Sequence, residues 1–76
     1  MEVGHIIEAQ VIRAFDYGLW LKANQEESEI LVRTDDLPAN PPLYSAKSFA
    51  HIGDSHKVKL CDFNSESKYY YGQLFY

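Results

Sequence analysis

Apolar and polar positions alternate in short runs along this chain, and the runs predict five strands. Between Gly4 and Phe15, Ile7, Ala9 and Val11 alternate with Glu8, Gln10 and Ile12. That period of two belongs to a half-buried strand. A second strand runs from about Tyr17 to Ala23 around Leu19-Trp20-Leu21. Gly18 inside this pattern marks either a bulge or a close backbone approach. Asn24-Gln25-Glu26-Glu27-Ser28 is a polar break, after which Ile30-Leu31-Val32 opens a third strand directed toward Thr34. A long irregular stretch from Asp35 to Ala50 follows and holds Pro38, Pro41 and Pro42. Proline lacks the amide a central strand needs. Ser45 to Ala50 is compatible with one helical turn. His51-Ile52-Gly53-Asp54 reads as a turn. The fourth strand, His56 to Asp62, places His56, Val58 and Leu60 on one face and Lys57, Lys59 and Cys61 on the other. Asn64 to Ser67 is a polar hairpin loop, and Lys68-Tyr69-Tyr70-Tyr71 begins a fifth strand that runs past Gly72 toward Tyr76. Five short strands with one long connection between the third and fourth predict an all-β closed or partly closed barrel, because closure removes exposed edges.

Composition narrows the function classes. The chain has 76 residues, the length of a single domain (residues 1–76), with 46% hydrophobic and 24% charged positions. Those are values of a globular chain rather than a disordered one. A domain this small buries only about 60% of its unfolded surface, so its core must be compact. The single cysteine, Cys61, excludes an internal disulfide and a cysteine-based zinc site. No apolar run approaches the length of a membrane span. The acidic, base-poor N-terminus is not read as a signal peptide. A reducing, cytoplasmic setting is therefore expected. Seven Lys and Arg against eleven Asp and Glu leave a formal net charge of -4. That weighs against tight, nonspecific nucleic-acid binding and leaves room for a basic protein partner.

The order of these signals resembles the S-one domain, the RNA-binding repeat of the largest small-subunit ribosomal protein. Val3 to Leu21, with Gly4, an apolar strand and then Asp16-Tyr17-Gly18-Leu19-Trp20-Leu21, resembles the opening of that family. Ile52-Gly53-Asp54-Ser55-His56-Lys57-Val58-Lys59-Leu60 resembles its Val-Gly-Asp signature, and Asn64 to Tyr71 resembles its final hairpin. Departures are Ala9 for a usual glycine, His56 for an apolar residue, Glu29 or Ile30 where a glycine opens the third strand, and Gly72 where serine is common. The resemblance implies a five-stranded OB-fold barrel with a long loop between strands 3 and 4. It also implies single-stranded RNA as ligand, with no cofactor, no metal and no catalysis.

The RNA face implied by the resemblance maps onto five residues, and Tyr70 is a sixth candidate. Tyr17 and Trp20 match two stacking aromatics, Arg33 falls at a histidine position, Asn64 matches an Asp and Lys68 a basic residue. Trp20 either stacks on bases or fills the core. The family register turns Tyr69 and Tyr71 inward and Tyr70 outward beside Lys68, where Tyr70 extends the stacking surface or packs across strands. Arg33, Lys68, Lys57 and Lys59 form either a phosphate-binding strip or a solvated face. His5, His51 and His56 match no compact metal motif. No phosphate-binding glycine loop or nucleophile elbow is present, so an enzyme is not expected. The competing reading is an acidic protein-interaction module of the same fold, for example an inhibitor or immunity-type partner of a basic protein. Glu26, Glu27, Glu29, Asp35 and Asp36 would carry it.

Overall fold

The structure, a computed structural model, describes residues 2–23, 27–36 and 50–74. Strand β1 is Ile6–Phe15, β2 Gly18–Lys22, β3 Glu29–Arg33, β4 Ser55–Asn64 and β5 Tyr69–Leu74. A single 3-10 turn, Thr34–Asp36, follows β3. The strands close into an all-β barrel in the order β1-β2-β3-β5-β4, the OB-type arrangement. Every pairing is antiparallel except β3 with β5. The proposed helical turn at Ser45–Ala50, the three prolines and Tyr76 fall wholly or mainly outside the described residues.

Two long strands each serve two neighbours, and each bends at a bulge. The first half of β1 pairs with β4, from Ile6↔Lys59 to Gln10↔Ser55, and the second half pairs with β2. The register shifts between Val11 and Arg13, leaving Ile12 as the extra residue. In β4 the shift lies between Leu60 and Asp62, at Cys61. An extra residue bends the strand and increases its local twist. The resembling Ile52-Gly53-Asp54 segment secures the first bend. Val11 N donates to the Asp54 carbonyl and Gly53 N donates to the Val11 carbonyl, both at 2.8 Å. Asp54 Oδ2 accepts from His51 N at 2.9 Å, and Gly53 takes a φ of 101°. A left-handed backbone with a carboxylate closing the turn is what Gly followed by Asp supplies.

The inward positions follow the alternation. Ala9, Val11, Leu19, Leu21, Ile30, Val32, Val58, Leu60 and Leu74 join Ala50 in one buried cluster. Each fully buried Leu, Ile or Val adds roughly 1.5–3 kcal/mol of burial. No polar residue is buried among the described residues. Gly18 resolves to the close approach. Its pairings with Phe15 and Arg33 are regular, and a Cβ there would stand 2.6 Å from the Val32 carbonyl oxygen.

The fifth strand corrects the expected faces of the tyrosines. Tyr70, Gly72 and Leu74 point inward, and Tyr70 packs against the core cluster. Tyr69 and Tyr71 point outward. The reason is a one-residue difference in where the hairpin ends. Lys68 takes a φ of 63° as the last turn residue, its amide donating to the Asn64 carbonyl at 2.8 Å, and the strand opens at Tyr69 opposite Asn64. With a side-chain period of two, that offset exchanges the faces.

Gly72 lets β5 lie against β4 and β3. An added Cβ would stand 2.5 Å from Val58 Cγ1 and 2.7 Å from Ile30 Cγ2. Gly72→Ala is expected to cost about 1–3 kcal/mol through overpacking. Urea unfolding of the two proteins measures it, and an unchanged midpoint would refute the close packing.

Candidate nucleic-acid interface

The outer surface of β2, β3 and β5 carries an aromatic chain capped by arginines. Register sets it up: Trp20 on β2 lies opposite Leu31 on β3, and Leu31 lies beside Tyr71 on β5. The half-buried Trp20 indole donates from Nε1 to Tyr17 Oη at 2.9 Å. Tyr69 meets the indole edge-on, with ring centroids 5.0 Å apart. Tyr69 and Tyr71 are themselves edge-to-face at 5.2 Å, with their hydroxyls 3.1 Å apart. Edge-to-face geometry is favoured because a positive ring edge meets a negative face.

Cations sit on both ends of this chain. The Arg13 guanidinium lies 5.6 Å from the Trp20 ring centre and is held by Glu29 Oε1 at 2.6 Å. The Arg33 guanidinium lies 4.9 Å from the Tyr71 ring centre, and its Nε is 3.7 Å from Asp36 Oδ2. These are cation–π arrangements. Two turns flank the face. In the β1–β2 turn, Tyr17 stacks parallel on Phe15 at 5.3 Å, and Thr34 ties the turn to β3. The Thr34 amide donates to the Tyr17 carbonyl at 3.1 Å and its hydroxyl donates to the Asp16 carbonyl at 3.0 Å. In the β4–β5 turn, Asn64 Oδ1 accepts from the amides of Glu66 and Ser67, both at 3.1 Å, an Asx turn.

The paired hydroxyls titrate apart. The hydrogen bond from Tyr69 lowers the Tyr71 pKa below the ordinary tyrosine value, and Asn64 and the Arg33 charge act in the same direction. Tyr69 is raised, first by its hydrogen bond to Tyr71, then by burial and by the Tyr71 charge.

Of the six sequence-predicted residues, Tyr17, Trp20, Arg33 and Asn64 come together on this face, and Lys68 is exposed in the adjoining turn. Tyr70 does not join them: its ring faces inward and packs 4.6 Å from Phe63. Tyr69, Tyr71 and Arg13 belong to the face, although the sequence reading turned the two tyrosines inward and gave Arg13 no role. The signal for the two tyrosines is Gly72, whose buried place fixes the strand parity. Lys57 and Lys59 do not continue the cationic line. They lie on the first half of β4, opposite Glu8 and Ile6. Of the acidic group, Glu29 and Asp36 hold the two arginines, whereas Glu26 and the Asp35 side chain lie outside the described residues.

Several solved structures share this architecture. An uncharacterized protein from Methanocaldococcus jannaschii superposes with a TM-score of 0.78 at 20% identity, over 99% of this chain and 93% of that one. GSP13 from Bacillus subtilis gives 0.80 at 22% identity, over 97% of this chain and 55% of that one. A chain in the a/eIF2alpha–aDim2p–rRNA complex from Pyrococcus horikoshii gives 0.83 at 17% identity, over 97% of this chain and 44% of that one. The chain has the barrel of these proteins. It spans about half the length of the latter two. No family model matches the sequence, and no curated protein matches it.

The hydroxyl pair has a direct readout. In an ultraviolet titration, Tyr71 is expected to ionise below the ordinary tyrosine range and Tyr69 above it. Tyr69→Phe removes the donor that steadies the Tyr71 phenolate, so the first ionisation should move upward. A first ionisation that stays in place would refute the coupling.

Proposed function

We propose that this chain is an S-one-like domain that binds single-stranded RNA on the outer face of β2, β3 and β5, without catalysis. The observation that carries the reading is the run from Tyr17 through Trp20, Tyr69 and Tyr71 to Arg33 on one face between two turns. OB barrels hold oligonucleotides on the face of strands 2 and 3 and on the loops corresponding to these turns. Aromatic rings supply stacking, which tolerates any base because every base has a π face. Arg33 and Lys68 supply phosphate contacts, which position the strand without reading its sequence. Asn64 orients the hairpin beneath Lys68, and its amide supplies a hydrogen bond at the edge of the site. The barrel's likeness to a chain solved in an rRNA-containing complex supports the same reading.

The acidic-partner reading draws less support. Two of its carboxylates, Glu29 and Asp36, are already engaged with Arg13 and Arg33. What remains is a thinner negative surface.

Trp20 is the single tryptophan, so its fluorescence reports on the site. Titration with mixed-sequence single-stranded RNA at low salt should quench it, and added salt should reverse the quenching. Trp20→Ala should weaken binding by roughly 1–3 kcal/mol. Arg33→Gln should reduce the slope of log affinity against log salt by about 0.7. No binding at high micromolar protein, or an affinity indifferent to both substitutions, would sink the proposal.

A further inference from the structure

We propose that Phe15, together with Tyr17, forms a stacking platform for one additional unpaired base at the β1–β2 end of the face. The footprint on single-stranded RNA is then one nucleotide longer than the face from Tyr17 to Arg33 provides without Phe15. The inference rests on the RNA-binding reading and adds a residue to it.

Geometry carries the argument. The Phe15 and Tyr17 rings lie within 8° of parallel with centroids 5.3 Å apart, the only offset stack among the described aromatic pairs. A parallel pair leaves an outer face on which a third ring adds in the same offset manner. Both rings are open to solvent, Phe15 at 39% and Tyr17 at 54% exposure. By contrast, Trp20 has Arg13 over its face and Tyr69 against it.

The platform is also fixed before any ligand arrives. Phe15 is the last residue of β1, paired with Gly18. Tyr17 is held at its carbonyl by the Thr34 amide and at its hydroxyl by the Trp20 indole. A ring immobilised at both ends loses little further freedom when a base settles on it. The patch is two rings wide, with Asp16 between them in the chain. That size suits a single nucleobase. It is far smaller than a whole protein–protein interface, which buries roughly 800 Å² per partner.

The test is a series of fluorescently labelled oligouridylates lengthened one nucleotide at a time, with affinity read by anisotropy. For the wild-type chain, affinity should rise with length and then level off. Phe15→Ala should bind the longer oligomers about ten-fold more weakly and level off one nucleotide earlier. Phe15→Tyr, which keeps the π face, should follow the wild type and guards against a folding defect in the alanine variant. If Phe15→Ala matches the wild type at every length, or Phe15→Leu keeps full affinity, the platform is refuted and the RNA-binding reading stands. If the wild-type chain binds none of the oligomers, the RNA-binding reading itself falls.

Discussion

Closing a barrel from so few residues forces β1 and β4 each to pair with different neighbours along their two halves, and the rest of the structure depends on how they bend. A straight strand ten residues long cannot face β2 at one end and β4 at the other. The extra residues Ile12 and Cys61 let each strand change direction part-way along. The Gly53–Asp54 turn then occupies the backbone groups of Val11 beside the first bend. Closure also needs three strands to converge near Gly72, where the absence of a side chain lets Val58 and Ile30 come close.

The proposed site is a by-product of that closure. Once β3 and β5 pair in parallel, Leu31 lies beside Tyr71, and Trp20 lies across from Leu31. Strands β2 and β5 thus bring Trp20, Tyr69 and Tyr71 into one line across β3, with no loop needed to carry these three rings. Rings held on a rigid sheet keep their spacing better than rings on a mobile segment. Only Tyr17 in the line, and Lys68 beside it, rest on turns, and both turns are tied down by hydrogen bonds.

Much of this was legible in the residues. Alternation, short apolar or aromatic runs and the polar breaks between them located the five strands, and His56, Val58 and Leu60 fell on the inner side as read. Leu19 and Leu21 are buried while Trp20 between them is turned outward. The faces of Tyr69, Tyr70 and Tyr71 were misread, because three identical residues in a row carry no alternation of their own and only Gly72 beyond them marks the parity. The turn decided it, through a lysine in a backbone conformation that residue type seldom adopts. The role of Arg13 was hidden for a different reason. Its partners, Trp20 and Glu29, come from two other strands, and only the register that follows the Ile12 bulge brings them together.

The two arginines on the aromatic line each already hold a carboxylate, Glu29 for Arg13 and Asp36 for Arg33. An anion that comes to either guanidinium therefore replaces a tethered competitor as well as water. The competitor never leaves, since it belongs to the same chain, and it stands ready to reclaim the cation whenever the visitor loosens its hold. Such internal exchange offsets part of every contact and shortens its lifetime. It favours a surface that samples and releases its ligands over one that retains them.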